Sequence, residues 1–336
     1  MYALLIKTGV FMNDRWQALS TAVARPQLQT VNYPLFEQMN VQASILRLDV
    51  VHSLLSGNKW YKLKNNLQIA LQQGCQSLAS FGGAHSNHIH ALAAAGKLLN
   101  IETVGFIRGY ASQPLTPTLL DASEWGMQLH YLNRLDYQRR DEQEYWQELK
   151  EHFSLAKPVY WIPEGGSNLP GVQGCQDILL EVPNYQQFDT IVAACGTGAT
   201  LAGMISVAKP HQQVLGVPVL KAEQWLQQTI QDWLAKLDCQ GAQWKLLSNF
   251  HEGGYAKLSA ALVAFMDDFF KITNIPLDPI YTAKMMKAVV EQVKNKKIAS
   301  GSRVLVVHTG GLQGCRGMER QLARLLHQVS GHFHTS

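Results

Sequence analysis

The sequence predicts an α/β protein with mostly parallel sheets, organised in about two domains. Strand-like and helix-like segments alternate over nearly the whole chain, the pattern of successive βα units. Its 336 residues suffice for about two hydrophobic cores. The Gly/Pro/Ser-rich stretch Pro163-Glu164-Gly165-Gly166-Ser167-Asn168-Leu169-Pro170 offers a crossing between them.

The elements follow in order. Ser44–Asp49 reads as a strand, and Leu63, Leu67, Ala70 and Leu71 then form a helical stripe at i, i+4, i+7, i+8. Ser77–Phe81 is a strand, Asn87–Leu99 a helix and Thr103–Ile107 a strand again. Gln128–Leu132, a polar helix over Arg139–His152 and the strand Val159–Ile162 complete this first set. Beyond the 163–170 loop, Thr190–Ala194 is an apolar strand, Leu201–Ala208 a helix and Val214–Val219 a strand. Two helices follow, from Ala256 and from Thr282, and Arg303–Val307 is the last strand. No internal repeat or low-complexity tract interrupts the pattern.

With 46% hydrophobic and 16% charged residues, the composition is that of a folded globular chain rather than a disordered one. The net charge of +4 is spread out, and its densest cluster, Lys294-Asn295-Lys296-Lys297, reads as a solvated helix end, which argues against a nucleic-acid partner. No apolar run approaches the ~20 residues of a membrane span. Met1–Lys7 lacks the basic and apolar regions of a signal peptide, so the expectation is a cytoplasmic protein. Five widely spaced cysteines without a C-x-x-C pair favour neither a disulfide framework nor a zinc site.

Chemistry concentrates in a few turns. Cys195-Gly196-Thr197-Gly198-Ala199-Thr200 lies between a strand and a helix, where successive backbone N–H groups and the helix dipole favour an anion. It carries no Walker lysine, and only a loose form of the dinucleotide fingerprint survives through Ala202. By itself it is either a phosphate loop or an ordinary βα turn. Ser56-Gly57-Asn58-Lys59 puts a lysine on a turn, with Lys62 one helical turn further on the same face. Such a pair is either two surface lysines or a covalent amine whose pKa a neighbouring cation lowers. Phe81-Gly82-Gly83-Ala84-His85-Ser86-Asn87-His88 again links strand to helix, offering N–H donors to a carboxylate or simple capping by Ser86 or Asn87. His85, His88 and His90 have no neighbouring carboxylate or cysteine to complete a metal set. Asp278-Pro279-Ile280-Tyr281-Thr282 and His308-Thr309-Gly310-Gly311 place hydroxyls beside further turns.

Taken together, from about Ser44 to Gly311, these segments resemble the pyridoxal-phosphate family that holds 1-aminocyclopropane-1-carboxylate deaminase and D-cysteine desulfhydrase. The resemblance implies a two-domain fold of the tryptophan-synthase β type (fold type II), usually a homodimer. It implies a large domain of residues 1–58 plus 168–336 and a smaller one over 59–167. Lys59 would be the Schiff-base lysine, and Lys62 would help hold the phosphate with Gly196, Thr197, Gly198, Ala199 and Thr200. Asn87 would contact the cofactor's 3′ oxygen, and Ser86 would lie by the substrate carboxylate. Tyr281, and Tyr255 of Glu252-Gly253-Gly254-Tyr255, match the family's two active-site tyrosines.

Deaminases of this family carry Glu after the Asp-Pro-x-Tyr tyrosine and Leu before Gly-Gly, whereas desulfhydrases carry hydroxyls; here the residues are Thr282 and Thr309. A carboxylate near the pyridine nitrogen favours its protonation and deepens the electron sink, while a hydroxyl can serve an unprotonated ring. Loss of a β-thiol demands less of that sink than carbon–carbon ring opening. The implied activity is β-elimination from D-cysteine or a related small amino acid, with the cyclopropane deaminase reaction as the alternative. Two departures bear on substrate: His85 and His88 replace the family's amides around the serine, and the stretch before the lysine reads Arg47-Leu48-Asp49-Val50-Val51-His52. From other classes, a nicotinamide oxidoreductase with Glu223 on the ribose leaves Lys59 without a task, and a non-catalytic cofactor-binding protein would bind without turnover.

Overall fold

The computed structural model describes residues 14–155 and 158–332, so the Met1–Lys7 segment weighed as a signal peptide lies outside the described residues. After a helix over 14–22 (α1), the chain forms β1 (Gln27–Thr30), α2 (Pro34–Gln38), β2 (Gln42–Arg47), α3 (Asn58–Gln72), β3 (Ser77–Gly83) and α4 (Asn87–Leu99). There follow β4 (Glu102–Arg108), α5 (Pro117–Glu124), β5 (Gln128–Leu132), α6 (Arg134–Gln138), α7 (Gln143–His152), β6 (Val159–Ile162) and α8 (Leu169–Leu180). The remainder is β7 (Thr190–Cys195), α9 (Ala199–Val207), β8 (Gln213–Pro218), α10 (Glu223–Lys236), β9 (Gln243–Leu246), α11 (Ala260–Thr273), α12 (Thr282–Lys294), β10 (Arg303–His308) and α13 (Glu319–His332).

The chain divides into two compact units, residues 1–24 with 52–174, and 25–51 with 175–336. In the first unit β3 and β4 are the inner strands of a four-stranded parallel sheet, ordered β5-β4-β3-β6. Its core joins Ala79, Phe81, Val104 and Phe106 to Leu132, Tyr137, Tyr145 and Leu149. The Phe81 and Phe106 rings stack on Trp161 at centroid distances of 5.9 and 5.6 Å. In the second unit a six-stranded sheet runs β1-β2-β10-β7-β8-β9. All its pairs are parallel except β1 with β2. The middles of the inner strands are largely apolar, as parallel strands covered on both faces require, and every residue of β7 is buried.

The alternating pattern is borne out, with local differences that have physical causes. The helix expected over Arg139–His152 starts four residues later, at Gln143, after a separate short helix α6 that ends at Gln138. Between them Arg139 bonds both Glu142 and Glu148, fixing a turn. The helix expected from Ala256 starts four residues later, at Ala260. Ala256 is left-handed (φ 55°), and Ser259 accepts from Leu262 N at 3.1 Å as the true N-cap. The expected strand Ser44–Asp49 ends at Arg47, where the chain enters a short 3-10 turn over Leu48–Val50.

A close approach fixes the start of α3. Gly174 in α8 lies so near the Tyr61 carbonyl that a Cβ there would overlap it, and the obstacle is backbone rather than a flexible side chain. Gly174→Ala is therefore expected to cost about 1–3 kcal/mol through overpacking. Thermal unfolding reads this as a lowered midpoint, and an unchanged midpoint would contradict the assigned packing.

Candidate active site

Lys59 lies in the first turn of α3, and its Nζ donates to Asn58 Oδ1 at 2.9 Å. Lys62 is not a surface lysine: it is 4% exposed and donates to the Gly165 carbonyl at 3.0 Å. The same helix is stitched to the 163–170 loop by a reciprocal amide pair. Asn66 Nδ2 donates to Asn168 Oδ1 at 3.1 Å, and Asn168 Nδ2 donates to Asn66 Oδ1 at 2.7 Å. Asn66 Oδ1 also accepts from the Tyr160 hydroxyl at 3.0 Å. The lysine turn is thus anchored at its base by neutral hydrogen bonds.

At the carboxyl end of β3, Ser86 caps α4 by accepting from Ile89 N at 3.3 Å, so the capping reading holds. Asn87 is the first residue of that helix. His88, the next residue, is buried while His85 is exposed. His88 Nε2 shares a 2.9 Å hydrogen bond with Ser80 Oγ, and its Nδ1 has no hydrogen-bond partner. Burial pushes the imidazole pKa well below its ordinary value, and the charges of Lys59 and Lys62 push it the same way. A third cation is thereby avoided beside the two lysines.

In the second unit, β7 delivers the chain to Gly196–Thr200 and α9. The N-cap of α9 is Gly198, left-handed at φ 83° and without a side-chain cap. A Cβ at that position would also come within 3.1 Å of Ile230. Such a turn aims its first N–H groups outward, which is the donor set an anion needs. Thr200 is buried, 3.8 Å from Cys175 Sγ. Tyr281 flanks the turn: a Cβ at Gly196 would meet its ring at 3.4 Å, and its hydroxyl donates to the Tyr255 hydroxyl at 3.4 Å.

Asp278 organises the tyrosine's helix. Its Oδ1 accepts from Ile280 N (3.0 Å) and Tyr281 N (2.8 Å), and its Oδ2 from Thr282 N (2.9 Å) and the Thr282 hydroxyl (2.6 Å). Thr282 is fully buried, and its hydroxyl proton points at Asp278. Thr309 follows β10, 7% exposed, before two left-handed glycines. Its neighbour His308 is fixed from both sides, Nε2 at 2.8 Å from the Pro276 carbonyl and Nδ1 at 3.2 Å from Asp49 Oδ1. Asp49 in turn is gripped by Arg47 Nε and Nη2 at 2.9 and 2.7 Å. The altered Arg-Leu-Asp stretch thus acts as the brace behind Thr309.

The first unit offers a primary amine at Lys59 and an amide at Asn87, and the second offers main-chain N–H groups at the start of α9, groups of the kind an aromatic aldehyde phosphate takes. The residues present are suited to pyridoxal phosphate. Residues 35–310 match the model of the family described as pyridoxal-phosphate dependent enzyme. This chain belongs to that family.

Among the relatives of this pyridoxal-phosphate dependent enzyme is a Thermotoga maritima protein that carries the provisional name 1-aminocyclopropane-1-carboxylate deaminase. It is 31% identical over 301 residues, covering 86% of this chain and 94% of the relative. An Arabidopsis thaliana mitochondrial protein, named a bifunctional D-cysteine desulfhydrase and 1-aminocyclopropane-1-carboxylate deaminase, is 28% identical over 84% of this chain and 75% of its own. A D-cysteine desulfhydrase of Yersinia pestis is 26% identical, covering 82% of this chain and 88% of its own. In fold, the chain resembles a crystal structure of an ACC deaminase homologue, with a TM-score of 0.76 over 93% of this chain and 99% of that one, at 24% identity. The two-domain fold type II expectation is therefore met, with parallel-rich sheets throughout.

Sequence reasoning names the hydroxyls and lysines of the site and misses its supports. Asp278 carries a legible signal, an Asp-Pro pair just ahead of a helix, which marks a cap. The His308–Asp49 pair carries none, because only the parallel pairing of β2 with β10 brings it together.

His88 generates a stability prediction. It is neutral in the folded chain and free to charge once unfolded, so its contribution is intact above about pH 6.5 and is lost as pH falls below that value. Chemical denaturation at about pH 5 and about pH 7.5 is expected to show a smaller acid loss for His88→Gln than for the parent protein. Equal losses would mean that His88 does not carry the effect.

Proposed function

We propose that this enzyme is a lyase that converts D-cysteine and water to pyruvate, sulfide and ammonia. The observation that carries this reading is the buried hydroxyl of Thr282, at the position where the family's deaminases carry a carboxylate. Asp278 lies beside it, yet its oxygens are committed to three main-chain N–H groups and to Thr282 itself. Thr309, also a hydroxyl, supports the same choice. No carboxylate is thereby offered to deepen the electron sink that ring opening demands.

When bound, pyridoxal phosphate supplies an aldehyde that captures amines and a ring that spreads negative charge from the substrate's α-carbon. Lys59 is assigned the covalent link to that aldehyde. Gly196, Thr197, Gly198, Ala199 and Thr200 are assigned the phosphate, with Lys62 lending its charge. Asn87 is assigned the 3′ oxygen. Ser86 and the N-terminal turn of α4 bind the substrate carboxylate, a task the helix dipole favours. Once the substrate amine replaces it, the Lys59 amine is the group that takes the α-proton, and Tyr281 is the second candidate base. Tyr255, hydrogen-bonded to Tyr281, orients that phenol. The leaving thiolate acquires a proton to depart as sulfide.

A second reading has its own support, because the relative at 31% identity bears the deaminase name. The deaminase reaction would release 2-oxobutanoate from 1-aminocyclopropane-1-carboxylate. Of the finer expectations, the homodimer rests on the family resemblance and the cytoplasmic location on the character of the Met1–Lys7 segment; sedimentation of the holoenzyme tests the first of them.

The test is direct. Purified enzyme is expected to release pyruvate and sulfide from D-cysteine with a kcat/KM at least about tenfold above its 2-oxobutanoate release from the cyclopropane substrate, a margin of about 1.4 kcal/mol in transition-state binding. The reverse ranking overturns the proposal in favour of the deaminase. Bound cofactor without turnover of either substrate overturns both. Lys59→Ala is expected to abolish the borohydride-sensitive absorbance band at the visible edge together with activity.

A further inference from the structure

The loop that carries Tyr255 is held in an unusual way. Its backbone takes left-handed or otherwise positive φ values at Glu252 (53°), Gly253 (94°), Gly254 (138°) and Ala256 (55°). Non-glycine residues adopt such values only when their surroundings impose them. Two side chains of α12 supply the constraint. Lys287 Nζ lies 2.6 Å from Glu252 Oε1, and Glu252 Oε2 also accepts from the Ser259 hydroxyl at 2.5 Å. Lys284 reaches further in: its Nζ donates to the His251 and Gly254 carbonyls, both at 2.9 Å, bracketing the turn just before Tyr255.

Lys284 is an expensive residue to place there. It is fully buried, and its ammonium donates to main-chain carbonyls rather than to a carboxylate in contact. Burying a charge on those terms opposes folding. Nor do the carbonyls need it for satisfaction, since His251 O also accepts from Gly254 N and Gly254 O from Lys257 N. An apolar side chain of the same length would fill the space without the desolvation cost. What the lysine adds is a pair of charge-assisted bonds that fix the turn's conformation.

We propose that Lys284 is a positioning residue for Tyr255: by clamping the His251 and Gly254 carbonyls it holds the hydroxyl of Tyr255 against that of Tyr281. The inference rests on the assignment of Tyr281 and Tyr255 to the substrate side of the site. Lys284 touches neither tyrosine hydroxyl and acts only through the loop. Its own charge is poised. Burial lowers its pKa to about 8, with Glu252 of the loop and Asp278 of the turn before α12 opposing the shift. His251 also lies in the loop, and Lys287, on the same helix, is engaged by Glu252.

The experiment compares the parent holoenzyme with Lys284→Met, Tyr255→Phe and the double variant. Hydrogen–deuterium exchange is expected to rise about tenfold over residues 251–257 in Lys284→Met, with β7 and the body of α12 unchanged. Exchange that is unchanged in the loop, or raised equally throughout α12, overturns the proposal. In kinetics with D-cysteine, Lys284→Met is expected to lower kcat/KM about tenfold and to add little to Tyr255→Phe, the non-additivity of a residue that acts through another. Fully additive losses overturn it. An enzyme inert toward D-cysteine would sink the functional reading, and the exchange arm would then decide Lys284 alone. Should Lys284→Met not fold, the parent enzyme decides. Its loop exchange, corrected for the chemical rate, is expected to climb from about pH 7 to about pH 9 as the ammonium loses its charge, and a flat profile overturns the clamp.

Discussion

Parallel pairing of strands is the constraint on which the site depends. In a parallel sheet every carboxyl end lies on one edge, so the turns that follow neighbouring strands are neighbours too. In the second unit β2, β10 and β7 are adjacent in that order, and their carboxyl ends carry Arg47 and Asp49, then His308 and Thr309, then Gly196–Thr200. The register is what seats Asp49 beside His308, since Arg47 pairs directly with His308 across the ladder. In the first unit the same geometry gathers the turn after β3, with Ser86 and Asn87, beside the Gly165–Gly166 turn after β6. Chemistry that looks scattered along the chain is local on the sheet edge.

Support for these turns comes from buried polar groups that spend their hydrogen bonds on the main chain. Asp278, 2% exposed, satisfies three N–H groups at the start of α12, and without it those donors would be buried unmet. Asn66 plays the corresponding part behind the lysine turn, bonding the Lys62 carbonyl, Asn168 and Tyr160. Fully satisfied networks of this kind specify one arrangement, because each member left unpaired would cost free energy in a dry interior. They also explain why flexible glycine-rich turns can present reactive groups at fixed positions.

Much of the fold is legible in the sequence because inner parallel strands are short apolar runs, as in Thr190–Cys195, and the long helices carry clear stripes. The elements that escape the alternation are the edges. β1 and β9 are polar and partly exposed, with no period strong enough to set them apart from loops. The helix α10 does carry a signal, the stripe Leu226, Ile230, Leu234 at i, i+4, i+8, which the strand–helix alternation alone leaves unused. Among the proposed site residues, Lys59, Asn87 and the Gly-Thr-Gly turn stand out by residue type. Burial does not stand out. Lys62, Lys284 and His88 look like ordinary helix-face residues until packing encloses them.

That enclosure separates two lysines with similar sequence settings. Lys62 and Lys284 each lie near the start of a helix, are buried, and donate to backbone carbonyls of a glycine-containing loop. Lys62 stands beside a neutral histidine, whose basicity is depressed first by burial and then by the charges of Lys59 and Lys62. Under the proposed assignment of Lys62 to the cofactor phosphate, binding of that anion would offset the desolvation cost of burying Lys62. Lys284 has acidic neighbours instead, Glu252 and Asp278, both already occupied by other donors. Their charges oppose the lowering of its pKa by burial without reversing it. Under the two proposals, one buried ammonium group serves a ligand and the other holds the chain.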